Sequence, residues 1–139
     1  MSDFEKFKIR EYNLWVLFLH KEQYPYIGRC YAWAKREDAR SVSDMNLQES
    51  SELLVIIHDW GYALHSLFGG GFWPNLAILG NETPHLHAHL IPRHRKPIEA
   101  HGIRFEDPNP NGNYAPYPKI DLPLETLMKI KSDIGQKLP

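Results

Sequence analysis

A single cysteine, Cys30, stands in a chain of 139 residues, so no disulfide can close within it, and the sequence fits a reducing compartment with Cys30 as a packing residue. Excess charge is also missing. Sixteen Lys and Arg against seventeen Asp and Glu leave a formal charge of −1, so nothing global draws nucleic acid or an anionic membrane. Any affinity for anions must be local, as in the basic run from Arg93 to Lys96. The longest aliphatic run, Leu53 to Ile57, is far too short to span a bilayer, and the start, Met1 to Lys6, lacks a basic segment followed by an apolar core. The expectation is a soluble, cytoplasmic protein with neither nucleic acid nor membrane as partner. Gly69, Gly70 and Gly71 precede no Gly-Lys-Ser or Gly-Lys-Thr, and no GxGxxG joins a strand to a helix, so they read as a connector rather than a phosphate loop. No internal repeat is present.

What the chain does contain is hydrophobic content of 42%, enough for a real core in one domain over residues 1–139, and eight histidines. Three of these alternate: His85, His87 and His89. An extended backbone puts all three imidazoles on one face and Leu86, Ala88 and Leu90 on the other, so one strand carries a chemical face and a packing face. Pro84 and Pro92 bound that strand. The ordinary reading of His20, His58, His65 and His101 is structural.

Two chemistries compete for the histidine row. A divalent ion would need a third ligand beyond an i, i+2 histidine pair, with His94, Glu82 and Asp59 as candidates. Alternatively, a neutral imidazole attacks phosphorus through one nitrogen while the other donates its proton to a fixed acceptor. That chemistry requires no metal or other cofactor.

The stretch from Asn75 to Arg93, with Gly80, Asn81, Glu82, Thr83 and Pro84 leading into His85, Leu86, His87, Ala88, His89, Leu90, Ile91 and Pro92, resembles the signature of the histidine triad superfamily of nucleotide hydrolases and transferases. Gly28 to Arg36 is similar to the family's early glycine, strand and basic end, and Phe105 to Pro116 resembles a tail of prokaryotic dinucleoside tetraphosphate hydrolases. The resemblance implies that His87 attacks an α-phosphate and forms a nucleotidyl-histidine intermediate, with the backbone carbonyl of His85 accepting the other imidazole proton. His85 and His89 would flank it, orienting it and serving phosphate oxygens or a leaving group. The implied substrate is a dinucleoside polyphosphate such as diadenosine tetraphosphate, with nucleoside phosphoramidates second. The implied assembly is a homodimer. A zinc hydrolase and a nucleotide-binding module without catalysis are the alternatives.

Three positions depart from better known branches. Arg29 follows Gly28 where many members carry a histidine; arginine is no neutral base, which leaves it to neutralise a phosphate or to hold the fold through a carboxylate. Gly80-Asn81-Glu82 replaces a Gly-Gln-Thr or Gly-Gln-Ser stretch, so Asn81 can supply the amide while ionised Glu82 cannot supply the hydroxyl. No acidic residue around His20, Lys21 and Glu22 matches the one that holds ribose in some branches. The phosphate-binding candidates are therefore Asn81, Arg29 and Arg93, the last sharing the parity of the histidines.

The element pattern predicts an α+β fold: an antiparallel sheet of about five strands with one main helix packed on it and a C-terminal helix. A short helix capped by Ser2 and Glu5 is expected through Arg10, then strands over Leu14–Leu19 and Cys30–Ala34, with a charged, solvated loop from Lys35 to Ser41. Asn46 and Glu49 form a capping box for the main helix, whose stripe runs through Leu53, Leu54, Ile57, Trp60, Leu64, Leu67 and Phe68 to the glycines. A strand over Leu76–Leu79 and a turn at Gly80–Pro84 precede the triad strand. Residues 105–118 form a long loop that covers the site or crosses to a second subunit, and Pro123 opens a helix over 123–137.

Overall fold

Small and apolar residues alternate with aromatic ones along Cys30–Ala34 (β3), and this alternation sets the centre of the fold: Cys30, Ala32 and Ala34 are fully buried, while Tyr31 and Trp33 face the other way. This computed structural model describes residues 2–139, without the side chains of Ser2 and Asp3. Around β3 lies a five-stranded antiparallel sheet in the order β1-β2-β3-β5-β4, with β1 Lys8–Glu11, β2 Trp15–Leu19, β4 Phe72–Ala77 and β5 His87–His94. The helices are α1 Ser2–Glu5, α2 Leu47–Phe68 and α3 Leu124–Lys137, and a small hairpin joins β6 Ile98–Ala100 to β7 Ile103–Phe105. The expected architecture is thus the one observed.

Register gives the sheet two faces. Leu17 pairs with Ala32 and Ala32 with Ala88, while Leu19 pairs with Cys30 and Cys30 with Leu90, so these residues share one side. Against it α2 packs Leu53, Ile56, Trp60, Ala63 and Leu64, and α3 adds Leu127, Ile130 and Ile134. Burying such side chains contributes about 1.5–3 kcal/mol each, which makes this layer the main stabilising term. Asn46 caps α2 by accepting from the Glu49 amide at 2.8 Å, while the Glu49 carboxylate accepts the Asn46 amide at 3.0 Å. Leu54, placed in the stripe by its spacing, is exposed instead, on the outer side of α2.

Several expected boundaries are corrected. The N-terminal helix stops at Glu5 rather than Arg10, because Phe7 and Ile9 pack on the core with a period of two and Lys8–Glu11 pairs with Val16–Phe18 as an edge strand. The proposed Ser2 cap lies outside the described side chains. The strand before the triad spans Phe72–Ala77 rather than Leu76–Leu79. Pro92 does not end β5, which continues to His94: pairing with β3 stops at Leu90, and beyond it Pro92 faces Pro74 on the edge strand β4, so its missing N–H costs no bond to β3. In the charged loop, Arg36 is tied to Glu49 at 2.9 and 3.1 Å, which clamps the chain after β3 onto the start of α2.

Candidate functional site

The face of the sheet away from α2 carries the alternating histidines. Phe18, Tyr31 and His89 lie in one cross-strand row, and Val16, Trp33 and His87 in the next. Phe18 stacks on Tyr31 at 5.1 Å, and Phe4 reaches over Phe18 and Trp33 from α1. Phe4, Tyr31 and Trp33 floor an open cleft of about 450 Å³ lined further by Phe7, Leu19, His20, Lys21, Thr83, His87 and His89. An apolar floor with a few convergent polar groups is the usual form of a small-molecule site.

The three triad residues come together but are not equivalent. The His87 ring contacts His85 through Nδ1, which lies 2.6 Å from the His85 carbonyl oxygen; a carbonyl only accepts, so Nδ1 carries the proton. In the neutral ring this leaves Nε2 with its lone pair, in a side chain that lines the cleft. His85 precedes β5. Its imidazole stacks on Trp33 at 4.1 Å and donates Nε2–H to the Ala34 carbonyl at 2.6 Å, so the ring is held by the backbone and its carbonyl is aimed at His87. His89 lies 5.0 Å from His87, ring to ring, and its Nδ1 is buried without a partner among the described residues.

A fourth imidazole extends the row. His20, read from sequence as structural, follows β2 at the parity of Phe18, and its ring is 5.7 Å from His89. Nδ1 accepts the Glu22 amide at 3.0 Å. Burial, then the Arg29 charge, push its pKa down to about 3; burial and Arg29 likewise lower His89 to about 4. Both rings are therefore neutral at ordinary pH. His58 and His65 are exposed on α2, and His101 pairs with Asp133 at 3.0 Å, as structural readings require.

Arg29 is only 4% exposed and does not line the cleft. Its Nη1 donates to the Tyr117 hydroxyl at 2.7 Å, which donates to Glu22 Oε1 at 2.6 Å, and its guanidinium lies over the rings of Tyr114 and Tyr117. It reaches a carboxylate only by way of Tyr117, its Nε is buried without a partner among the described residues, and its charge acts on His20 and His89. Gly28 allows this placement. It has φ +100°, and a Cβ there would meet Leu64 Cδ2 at 2.7 Å. Buried Gln23 completes the turn, donating to the His20 and Arg29 carbonyls and accepting the Gly28 amide.

Arg93 is engaged within the fold. Parity suggested a phosphate ligand, but all five of its N–H donors are spent on the protein: two on Asp107, and one each on Asn75, Gly112 and Asn109. The residue pins the 105–118 loop to β5, and that loop covers Arg29 from behind rather than the cleft. Asn81 is exposed and outside the cleft lining, while Thr83, two residues on, is among the residues that line it. Tyr31, Trp33 and Thr83 were missed by sequence reasoning. The first two were legible, since they share the face that pairs with His89 and His87.

For metal, the third ligands suggested by sequence are elsewhere. His94 donates to the Ile27 carbonyl, Asp59 accepts from Tyr12, and Glu82 is exposed; among the described residues no group of three or more His, Cys, Asp or Glu is placed to hold an ion. Buried Cys30, its thiol pKa pushed up by burial, is a packing residue. No helix among the described residues is long and apolar enough to cross a membrane.

No family model matches the sequence, and no curated protein matches it. Solved structures do. A histidine triad protein from Sinorhizobium meliloti superposes with a TM-score of 0.73 at 20% identity, covering 99% of both chains. One from Marinobacter aquaeolei gives 0.71 at 18% identity over 100% of this chain and 96% of its own. A hypothetical histidine triad nucleotide-binding protein from Sulfolobus tokodaii gives 0.67 at 14% over 94% and 82%. With the alternating histidines on one face of its sheet and α2 and α3 on the other, this chain has the fold of the histidine triad proteins.

Proposed function

We propose that this chain is a nucleotide hydrolase or transferase of the histidine triad superfamily, from the prokaryotic branch that resembles dinucleoside tetraphosphate hydrolases, and that His87 Nε2 attacks the α-phosphate of its substrate. The observation that carries this reading is the 2.6 Å bond from His87 Nδ1–H to the His85 carbonyl, which fixes the tautomer a nucleophilic imidazole needs. Attack forms an N–P bond and breaks the bond from phosphorus to the leaving phosphate, which departs with its electron pair. Water then adds to phosphorus, the N–P bond breaks back to His87, and the water proton leaves with the nucleoside monophosphate or to solvent. Thr83 Oγ1 and His89 stand beside the reacting phosphate, and Arg29 supplies positive potential from behind. The aromatic floor of Tyr31, Trp33 and Phe4 suits a nucleoside. A dinucleoside polyphosphate such as diadenosine tetraphosphate is the favoured substrate, no cofactor is required, and the setting is cytoplasmic.

A homodimer belongs to the same proposal. Among the described residues edge strand β4 pairs only with β5, and it leaves Trp73 67% exposed on one face and Leu76 48% exposed on the other, an open strand edge that a second copy can pair with. Sedimentation of the wild type beside Trp73→Glu tests it, with a dimer expected only for the former. For the chemistry, the test is rapid quench with diadenosine tetraphosphate followed by mass spectrometry of the peptide containing His87. An adenylyl adduct on His87, lost with turnover in His87→Ala, is the expected result. Undiminished turnover by His87→Ala overturns the assignment.

A further inference from the structure

Among the described residues, the cleft that holds His87 and His89 has one Lys or Arg in its lining. Lys21 is among the residues lining it, and among the described residues no Asp or Glu lines it. The neighbouring carboxylate is turned away: Glu22 accepts from the Tyr117 hydroxyl at 2.6 Å and lies 3.5 Å from Lys119 Nζ. Lys21 itself is exposed and has no hydrogen-bond or ion-pair partner among the described residues. Its backbone is nonetheless fixed, because Gln23 Nε2 holds the carbonyls of His20 and Arg29 at 2.7 Å each.

Position follows from the row of rings. His87 to His89 is 5.0 Å, His89 to His20 is 5.7 Å, and Lys21 is the next residue. Lys21 therefore lines the cleft next to His20, the ring farthest from His87 in this row, and its charge acts on that ring. A lysine in that place is a compact point charge, suited to a phosphoryl group and indifferent to a neutral sugar hydroxyl.

We propose that Lys21 selects substrates bearing a second phosphoryl group beyond the one His87 attacks. The proposal rests on the nucleotide-transfer reading above and names a substrate class within it. That second group sits either further along the 5′-phosphate chain or on a sugar hydroxyl, and both present the same anion to Lys21.

Calorimetric titration of AMP, ADP and adenosine 3′,5′-bisphosphate into the full chain, as wild type, Lys21→Gln and Lys21→Arg, separates these cases. In the wild type, ADP or the 3′,5′-bisphosphate binds about tenfold more tightly than AMP, a difference of about 1.4 kcal/mol. In Lys21→Gln that ratio falls towards one, and Lys21→Arg restores it. Salt shrinks the ratio in the wild type, as screening of an exposed pair demands. A response of the ADP ratio assigns the 5′ chain, and a response of the bisphosphate ratio assigns the sugar. Equal ratios in wild type and Lys21→Gln for both ligands overturn the proposal while AMP binding leaves the nucleotide reading standing. Failure of the wild type to bind any of the three overturns both.

Discussion

The imidazole of His85 lies flat against the indole of Trp33, with ring centroids 4.1 Å apart and 10° between the planes. The stack holds His85 so that its side chain bonds to Ala34 and its carbonyl receives the His87 proton. The strand that carries the aromatic floor thus also orients the His87 imidazole. Trp33→Ala removes the support and is expected to lower kcat by about tenfold to a hundredfold, the cost of a displacement of about 1 Å in a reacting group. Trp33→Phe keeps a ring under His85 and should keep most of kcat. Saturation kinetics with nitrogen-15 spectra of the His87 tautomer check both; an unchanged kcat in Trp33→Ala would separate the stack from the chemistry.

His20 and His89 make stability depend on pH in a defined direction. Their ordinary pKa is about 6.5, as in the unfolded chain, and burial together with the Arg29 charge lowers them to about 3 and about 4 in the fold. His87 also lowers His89, while Lys21 lowers and Glu22 raises His20. As pH falls below about 6.5 the unfolded chain takes up protons that the folded chain refuses, so the melting temperature drops from near neutrality to about pH 4 through His89 and on to about pH 3 through His20. Arg29→Gln removes one cause of the depression. It is expected to make that slope shallower, whatever it does to the melting temperature at pH 7, and a Tm series against pH reads the slope directly.

Arg93 and Asp107 form the most buried ion pair described, with their side chains 4% and 1% exposed and Nε donating to Oδ2 at 2.6 Å. Breaking one side leaves a charge without a partner, so Arg93→Met is expected to cost about 3–5 kcal/mol in urea unfolding. Arg93→Lys keeps the charge but cannot supply five planar donors, and it should lie between the wild type and Arg93→Met. Since Arg93 lies outside the cleft, kcat per folded molecule should stay near the wild-type value in Arg93→Lys. A large fall there would restore the phosphate-binding role that its parity with the histidines suggested.

That contrast marks where sequence was informative. Alternation of period two identified both faces of β5, and the same alternation in β3 makes Tyr31 and Trp33 legible on the histidine face; the Asn46 and Glu49 box and the glycines bounded α2. Parity states which side of a sheet a residue faces, but not whether a loop arrives first with an acceptor, and Asp107 reaches Arg93 from fourteen residues away. The strand Lys8–Glu11 was hidden because its pairing with β2 and its contact with α3 override a weak local helix signal. His20 was legible only in combination, since one histidine after a strand says little until the register places it beside His89.

The loop into the triad supplies a last contrast between two neighbouring residues. Asn81 had the better chemical claim from sequence, yet Thr83 lines the cleft, and its carbonyl is held by the His85 amide at 2.8 Å. Thr83→Val preserves side-chain shape and the backbone bond while removing the hydroxyl, so kcat/KM should fall about tenfold, the scale of one lost hydrogen bond to a charged group. Thr83→Ser should recover most of it. Asn81→Ala, whose side chain points to solvent, is expected to stay within about twofold, as surface substitutions do. Steady-state kinetics on the three variants with diadenosine tetraphosphate decide between the residues: a loss in Asn81→Ala with none in Thr83→Val would mean that the loop rearranges around bound nucleotide to present the amide instead.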